Sequence, residues 1–312
     1  MIEHYSRRFA LALLSGVMLA AALGSSASAQ DIKVKHNRGE LVLKAVPKKI
    51  IVFDLAQLDT LDTLGVKVTG VAGSLFPSYL SKYEANKSID VGSLFEPNYE
   101  AVNAAAPDLI ITGGRSSTKY DALSKIAPTI DLESDDRNYV ESSIRNIETL
   151  AALFGKQDAA AARIAKLKAS IADLRARAAT AGKGLIVLTT GGLMSAYGPG
   201  SRFGALHDDF GVTPAVSNLS TALHGEPISH EFILKTNPDW LFVVDRDAAI
   251  GASGQAAAQF LDNEIVRRTT AWKKRQVVYL DPSDWYMVGG GLTSLQRKVD
   301  QITAAFSSKA SP

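Results

Sequence analysis

Three arginines, Arg115, Arg202 and Arg246, each fall in a short polar or Gly-rich stretch close behind an apolar run. A guanidinium is permanently charged and presents a planar fork of donors, so three gathered in one place would hold an anionic ligand. Taken singly, each could equally pair with a local carboxylate, as Arg246 with Asp245 or Asp247. His224, in the loop Ser220-Thr-Ala-Leu-His224-Gly-Glu-Pro227, has a backbone opened by Gly and Pro and an imidazole that either meets a metal or is an ordinary surface group. Trp285 and Tyr286 lie in Asp281-Pro-Ser-Asp-Trp285-Tyr286-Met-Val-Gly289-Gly-Gly291, a loop that either closes one wall of a pocket or packs against its own lobe. His4, His36 and His207 suggest no site, and His230 is expected to assist a helix start. There is no G-x-S-x-G, Walker, H-E-x-x-H or intact G-x-G-x-x-G motif, so no enzyme constellation emerges.

The elements that would position these residues alternate in type. Candidate strands are Ile50–Phe53, Val68–Ala72, Leu109–Thr112, Thr129–Leu132, Leu185–Thr189, Leu241–Val244 and Val277–Leu280, with helical patterns between most of them. That is the pattern of an α/β protein with largely parallel sheets. In the middle, Val140, Ile144, Ile147, Ala151 and Phe154 recur at helical spacing, with Gly155 as the cap. A second helix, with Asp158 as N-cap and Ile164, Leu167, Ile171 and Leu174 on one face, runs to Gly182. Its length of about 22 residues, or roughly 33 Å, suits a strut between lobes, although a long surface helix would look the same.

An internal echo supports two lobes. Glu100, Pro107 and Asp108 reappear as Glu231, Pro238 and Asp239 at a constant offset of 131, and that offset carries Arg115 onto Arg246. In each copy a Glu opens a short helix, Pro-Asp ends it, an apolar strand follows, and an Arg lies past the strand's carboxyl end. The shared register shifts Arg115 and Arg246 toward function, facing a crevice at the carboxyl ends of the strands, where open α/β sheets bind ligands. The expected organisation is residues 1–29 signal peptide, 30–155 N-terminal lobe, 156–181 linker helix and 182–312 C-terminal lobe.

Arg7 and Arg8 precede an uncharged apolar run, Phe9 to Leu23, that ends in Ala27-Ser28-Ala29, the shape of a signal-peptidase site. The run is shorter than the roughly 20 residues that span a bilayer, so export with cleavage before Gln30 is expected, by either the general or the twin-arginine route. There is no cysteine, hence no disulfide, no thiolate metal site and no acceptor for a lipid anchor. A freely diffusing exported protein would be retained in a Gram-negative periplasm, which is the expected destination. With 34 basic and 32 acidic residues and no charge run, neither nucleic acid nor stable membrane insertion is indicated.

Across nearly the whole mature chain, the two Glu/Pro-Asp repeats, the central helix, Gly200-Ser-Arg202-Phe-Gly204, Val244-Asp-Arg246 and Asp281-Pro-x-x-Trp285-Tyr286 resemble the periplasmic ferric-siderophore-binding proteins of ABC importers. The likeness is to the catecholate branch, of the enterobactin-uptake type. The resemblance implies an α/β fold of two Rossmann-like lobes joined by a long rigid α-helix, and little closure on binding. It implies that Arg115, Arg202 and Arg246 hold an anionic iron complex, with Trp285 beside it. It also implies that His224 and Tyr286 contact iron and that Glu100 and Glu231 dock on the permease. No intrinsic cofactor is expected; Fe(III) would arrive as the siderophore complex, and the protein would be a monomer. A tetradentate bis-catecholate leaves two iron positions open, which an imidazole and a phenolate would fill. Haem, a corrinoid or a hydroxamate siderophore would fit the same scaffold, as would, less well, a periplasmic hydrolase activity.

Overall fold

The computed structural model describes residues 31–73, 75–85 and 89–307. The expected signal peptide lies outside the described residues. From Ile32 onward the chain forms one compact unit, and no helix among the described residues is long and apolar enough to cross a membrane.

The chain begins with an antiparallel hairpin, β1 (Ile32–His36) and β2 (Gly39–Leu43). The first sheet follows: β3 (Ile50–Val52), β4 (Gly70–Val71), β5 (Leu109–Thr112) and β6 (Thr129–Asp131), ordered β4-β3-β5-β6 and parallel throughout. Its strands are short, unbroken runs buried on both faces, as parallel strands covered by helices should be. The second sheet holds β7 (Lys183–Thr190), β8 (Leu193–Tyr197), β9 (Thr213–Pro214), β10 (Glu226–Pro227), β11 (Trp240–Asp245) and β12 (Val277–Tyr279). Its order is β10-β8-β7-β11-β12, with β9 beside the start of β7. β11, β12 and β9 run parallel to β7, whereas β8 is antiparallel to β7 and to β10.

All seven expected strands form, with ends shifted by a residue or two. The hairpin β7–β8 and the short β9 and β10 were not anticipated. Leu-Met-Ser-Ala-Tyr lacks the β-branched run that marks its neighbours, and two-residue strands leave no periodicity to read. The second sheet is therefore mixed where a largely parallel one was expected.

The repeat is structural as well as sequential. Helix α1 (Leu55–Thr63) follows β3, and helix α2 (Tyr99–Ala105) carries the first copy of the echo. After helices α3 (Tyr139–Leu153) and α4 (Gln157–Ala181), helix α5 (His230–Thr236) carries the second. Asn98 and Ser229 cap α2 and α5 by accepting from the backbone N–H groups of Ala101 and Phe232. Both helices end on a left-handed residue, Ala106 and Asn237, each at φ 45°. Asp108 and Asp239 then accept backbone N–H groups from Lys49 (2.8 Å) and Lys183 (2.9 Å), tying each helix exit to the start of a strand. The cap of α5 is Ser229, so His230 begins the helix rather than capping it.

Helix α4 has 25 residues and starts behind Lys156; Asp158 lies in its first turn and is not the cap. Packing makes it rigid. Ala160, Ile164, Leu167, Leu174 and Ala178 join one core with Ile144 and Ile147 of α3, with Phe242 and Val244 of β11, and with Leu295, Val299 and Ile302 of the C-terminal helix α6 (Leu292–Ser307). The start of α6 returns to the first lobe, where Asp59 of α1 accepts the backbone N–H of Ser294 at 2.8 Å and Thr63 shares a 2.7 Å hydrogen bond with Thr293.

Candidate functional site

Parallel strands deliver their following turns to one edge, and two of the arginines arrive there. Arg115 lies in the helical turn Gly114–Lys119 just beyond β5, and Arg246 follows β11 directly, at the start of the turn Arg246–Ala249. Asp245 caps that turn by accepting the N–H of Ala248 at 3.0 Å. Tyr286 belongs to the helical segment Ser283–Val288, which follows β12. Arg202 comes from the turn after β8.

All three arginines converge on Tyr286. Arg115 donates from Nη2 to the Tyr286 carbonyl (2.7 Å) and from Nη1 to the Met287 carbonyl (3.2 Å). Arg202 donates to the same Tyr286 carbonyl at 3.0 Å, and Arg246 Nε donates to the phenol oxygen at 2.9 Å. The guanidinium carbons of Arg202, Arg115 and Arg246 lie 4.3, 5.2 and 5.8 Å from the ring centroid. The charge of Arg202 bears on Arg115, so keeping both cationic here has an electrostatic cost. Guanidinium groups so gathered suit an anionic ligand.

Carboxylates offset this charge only in part: Asp247 is within ion-pair distance of Arg246, and the charges of Asp54 and Asp136 act on Arg115 and Arg202. Asp247 is 3.8 Å from Arg246 Nη1, but it is held by the backbone N–H of Gly191 and by Thr190 Oγ1 at 2.8 Å. Arg246 Nη1 donates to Thr190 at 3.1 Å. Burial, and then the charge of Arg202, hold the Arg115 guanidinium below its ordinary pKa. Burial tends to raise the Tyr286 phenol, but the Arg246 hydrogen bond and the charges of Arg202, Arg246 and Arg115 together prevail, leaving it below its usual value. A phenol so placed is readied for the phenolate form that a hard cation would bind.

His224 is exposed, in the turn before β10. The register of β10 on β8 sets it beside the turn that carries Arg202: a Cβ on Gly225 would sit 2.7 Å from Ala196 O and 2.8 Å from the Tyr197 ring, and one on Gly200 would sit 3.9 Å from the Thr221 methyl. Among the described residues no hydrogen bond or ion pair ties its imidazole, and no group of three or more His, Asp or Glu could hold a bare metal ion.

Trp285 departs from expectation. It is 4% exposed and packs in the core, edge-on to Phe210 with Lys298 Nζ 5.2 Å from its ring, so this segment presents Tyr286 rather than Trp285 to the arginines. A helical segment turns adjacent residues in different directions, which a loop reading does not foresee. Glu100 and Glu231 are both exposed, each in the first turn of its helix.

Two supporting residues were not read from the sequence. Thr190 ends β7 and orients Arg246; its place at a strand's carboxyl end was the available signal. Lys298 sits on the apolar stripe of α6 among Leu295, Val299 and Ile302, where a lysine is out of pattern. Its Nζ donates to Tyr139 at 3.0 Å behind the Tyr286 segment.

Known proteins resemble the chain in sequence and fold. A petrobactin-binding protein of Bacillus subtilis is 41% identical over 95% of this chain and 98% of its own length. Its crystal structure matches with a TM-score of 0.85, covering 89% of this chain and 99% of that one. A ferric-anguibactin-binding protein of Vibrio anguillarum is 34% identical, covering 89% of this chain and 88% of its own. The structure of a periplasmic catecholate-siderophore binding protein from Vibrio cholerae has a TM-score of 0.83 at 32% identity, over 88% of this chain and all of that one. The family model described as periplasmic binding protein matches residues 50–283. Two α/β lobes and a long connecting helix are thus shared with a family of binding proteins rather than enzymes, and this chain belongs to the periplasmic binding protein family.

Proposed function

We propose that the chain binds an anionic ferric siderophore of the catecholate class outside the cytoplasm and delivers it to the permease of an ABC importer. The convergence of Arg115, Arg202 and Arg246 on Tyr286 carries this reading. A catecholate complex of Fe(III) is a compact anion, and guanidinium donors suit its oxygens. Among the described residues Arg202 makes one hydrogen bond, to the Tyr286 carbonyl, which leaves most of its five N–H groups for a ligand. A neutral hydroxamate complex would have less use for such a charge.

Tetradentate bis-catecholates are the preferred class. Four catecholate oxygens leave two positions on iron, and His224 and the Tyr286 phenolate are the ligands proposed to complete the shell. The lobes, residues 30–155 and 182–312, would hold the complex between them with little closure, because α4 and α6 are packed into a shared core. Glu100 and Glu231, one on each lobe, are the proposed contacts for basic residues of the permease. Residues 1–29 are proposed as a cleaved signal peptide directing a monomer to a Gram-negative periplasm.

Titration of the mature protein with ferric complexes, read by tryptophan fluorescence and visible absorption, tests this. His224→Ala and Tyr286→Phe should each weaken a bis-catecholate complex by roughly tenfold or more and shift its charge-transfer band. A hexadentate complex should be hardly affected. Equal losses for both ligands would reject direct coordination, and no binding of any ferric siderophore would reject the function.

A further inference from the structure

Glu100 and Glu231 occupy equivalent places in the two lobes, yet their surroundings differ. Just before α2 the chain makes a tight turn: Ser93 Oγ accepts the N–H groups of Phe95 (3.2 Å) and Glu96 (2.9 Å), and Ser93 N donates to Glu96 O at 3.0 Å. Asn98 N closes it by donating to Val91 O at 2.8 Å. Gly92, at φ +87°, permits the approach, since a Cβ there would collide with Glu96 O. Val91 and Leu94 anchor the turn in the core, while Phe95 at its tip is 58% exposed.

Tyr99 is 38% exposed, and Glu96 and Glu100 are exposed beside these rings. A lone apolar group at the surface is ordinary. A phenyl ring held outward by a hydrogen-bonded turn, with a second ring and two carboxylates near it in the chain, is a contact whose ordering cost is already met. The matching stretch of the second lobe has no such turn. The offset of 131 brings Phe95 and Glu96 onto Glu226 and Pro227, which are paired in β10.

We propose that Phe95 and Tyr99, flanked by Glu96 and Glu100, form an apolar anchor that seats the N-terminal lobe on the importer's permease. The complementary surface is an apolar socket edged by basic side chains. The proposal rests on the importer reading above and deepens it: one lobe docks by a carboxylate and an anchor, the other by a carboxylate alone, so the protein is seated in a single orientation.

The test compares full-length wild type, Phe95→Ser, Tyr99→Ser and, as an equally exposed apolar control, Val46→Ser (48% exposed). Uptake of radioactive iron as a ferric bis-catecholate is measured in the source bacterium. Affinity for the same complex and thermal melting are measured on the purified proteins. Phe95→Ser and Tyr99→Ser should each lower uptake by about tenfold, with affinity within about twofold of wild type, as expected for a buried aromatic anchor. Val46→Ser should transport normally, and all melts should match. Unchanged uptake in both aromatic variants overturns the anchor. So does a wild-type dimer that either variant converts to a monomer, since the patch would then pair copies of this chain. Failure of the wild type to bind any ferric siderophore would instead sink the functional reading, and the anchor with it.

Discussion

Tyr286 is the residue on which the site's electrostatics turn. Burial pushes the phenols of Tyr79, Tyr83, Tyr120, Tyr139, Tyr197 and Tyr279 up, whereas the arginines bring Tyr286 below its ordinary value. An absorbance titration at the phenolate band should therefore show its earliest transition from Tyr286. That transition should vanish in Tyr286→Phe and move to higher pH in Arg246→Met, which removes the 2.9 Å hydrogen bond and one charge. If the earliest phenolate persists in Tyr286→Phe, the three guanidinium groups do not act on this ring as their placement requires.

Among the elements, the two copies of the helix–turn–strand unit differ in how well their turns are adapted. Ala106 and Asn237 both take the left-handed conformation that ends the helix. Asn tolerates it, but an alanine Cβ is strained there. Ala106→Gly should therefore raise stability by about 0.5–1 kcal/mol, read from the urea midpoint. Gly225 is the opposite case. At φ +69° and against Ala196 O and the Tyr197 ring, it allows β10 to lie on β8. Gly225→Ala should cost roughly 1–3 kcal/mol and displace the turn bearing His224, weakening a tetradentate ferric complex more than a hexadentate one.

At the level of the whole molecule, a polar network, buried at Lys298 and Asp284 and exposed at Arg297, ties the lobes together behind the site. Lys298 of α6, 4% exposed, donates to Tyr139 of α3, and Arg297 beside it binds Asp284 (2.7 Å) and Asp281 (3.1 Å) of the Tyr286 segment. Burial brings the Lys298 ammonium down to about 7, with Asp284 opposing the shift. A group depressed on folding contributes stability that is present above its unfolded pKa and is lost as pH falls through the folded value. Stability should thus rise between pH about 7 and about 10 in urea unfolding, and Lys298→Met should flatten that rise. An unaltered slope in the variant would show that another group governs it.

The local and repeated features of the chain determined much of this protein. Seven strands, the two central helices, the paired helix–turn–strand units and the three arginines at strand exits all follow from short-range pattern: apolar period, capping residues and a repeated register. Such signals survive in one dimension because each depends on neighbours a few residues away. Tertiary structure decided the rest. Only packing could turn Trp285 inward while leaving Tyr286 among the arginines, place Lys298 beneath them, recruit β8, β9 and β10 to complete a mixed sheet, and bond α6 to the first lobe. Those outcomes are set by contacts between residues far apart in sequence, where burial and charge are shared by many groups and no single stretch of chain specifies them.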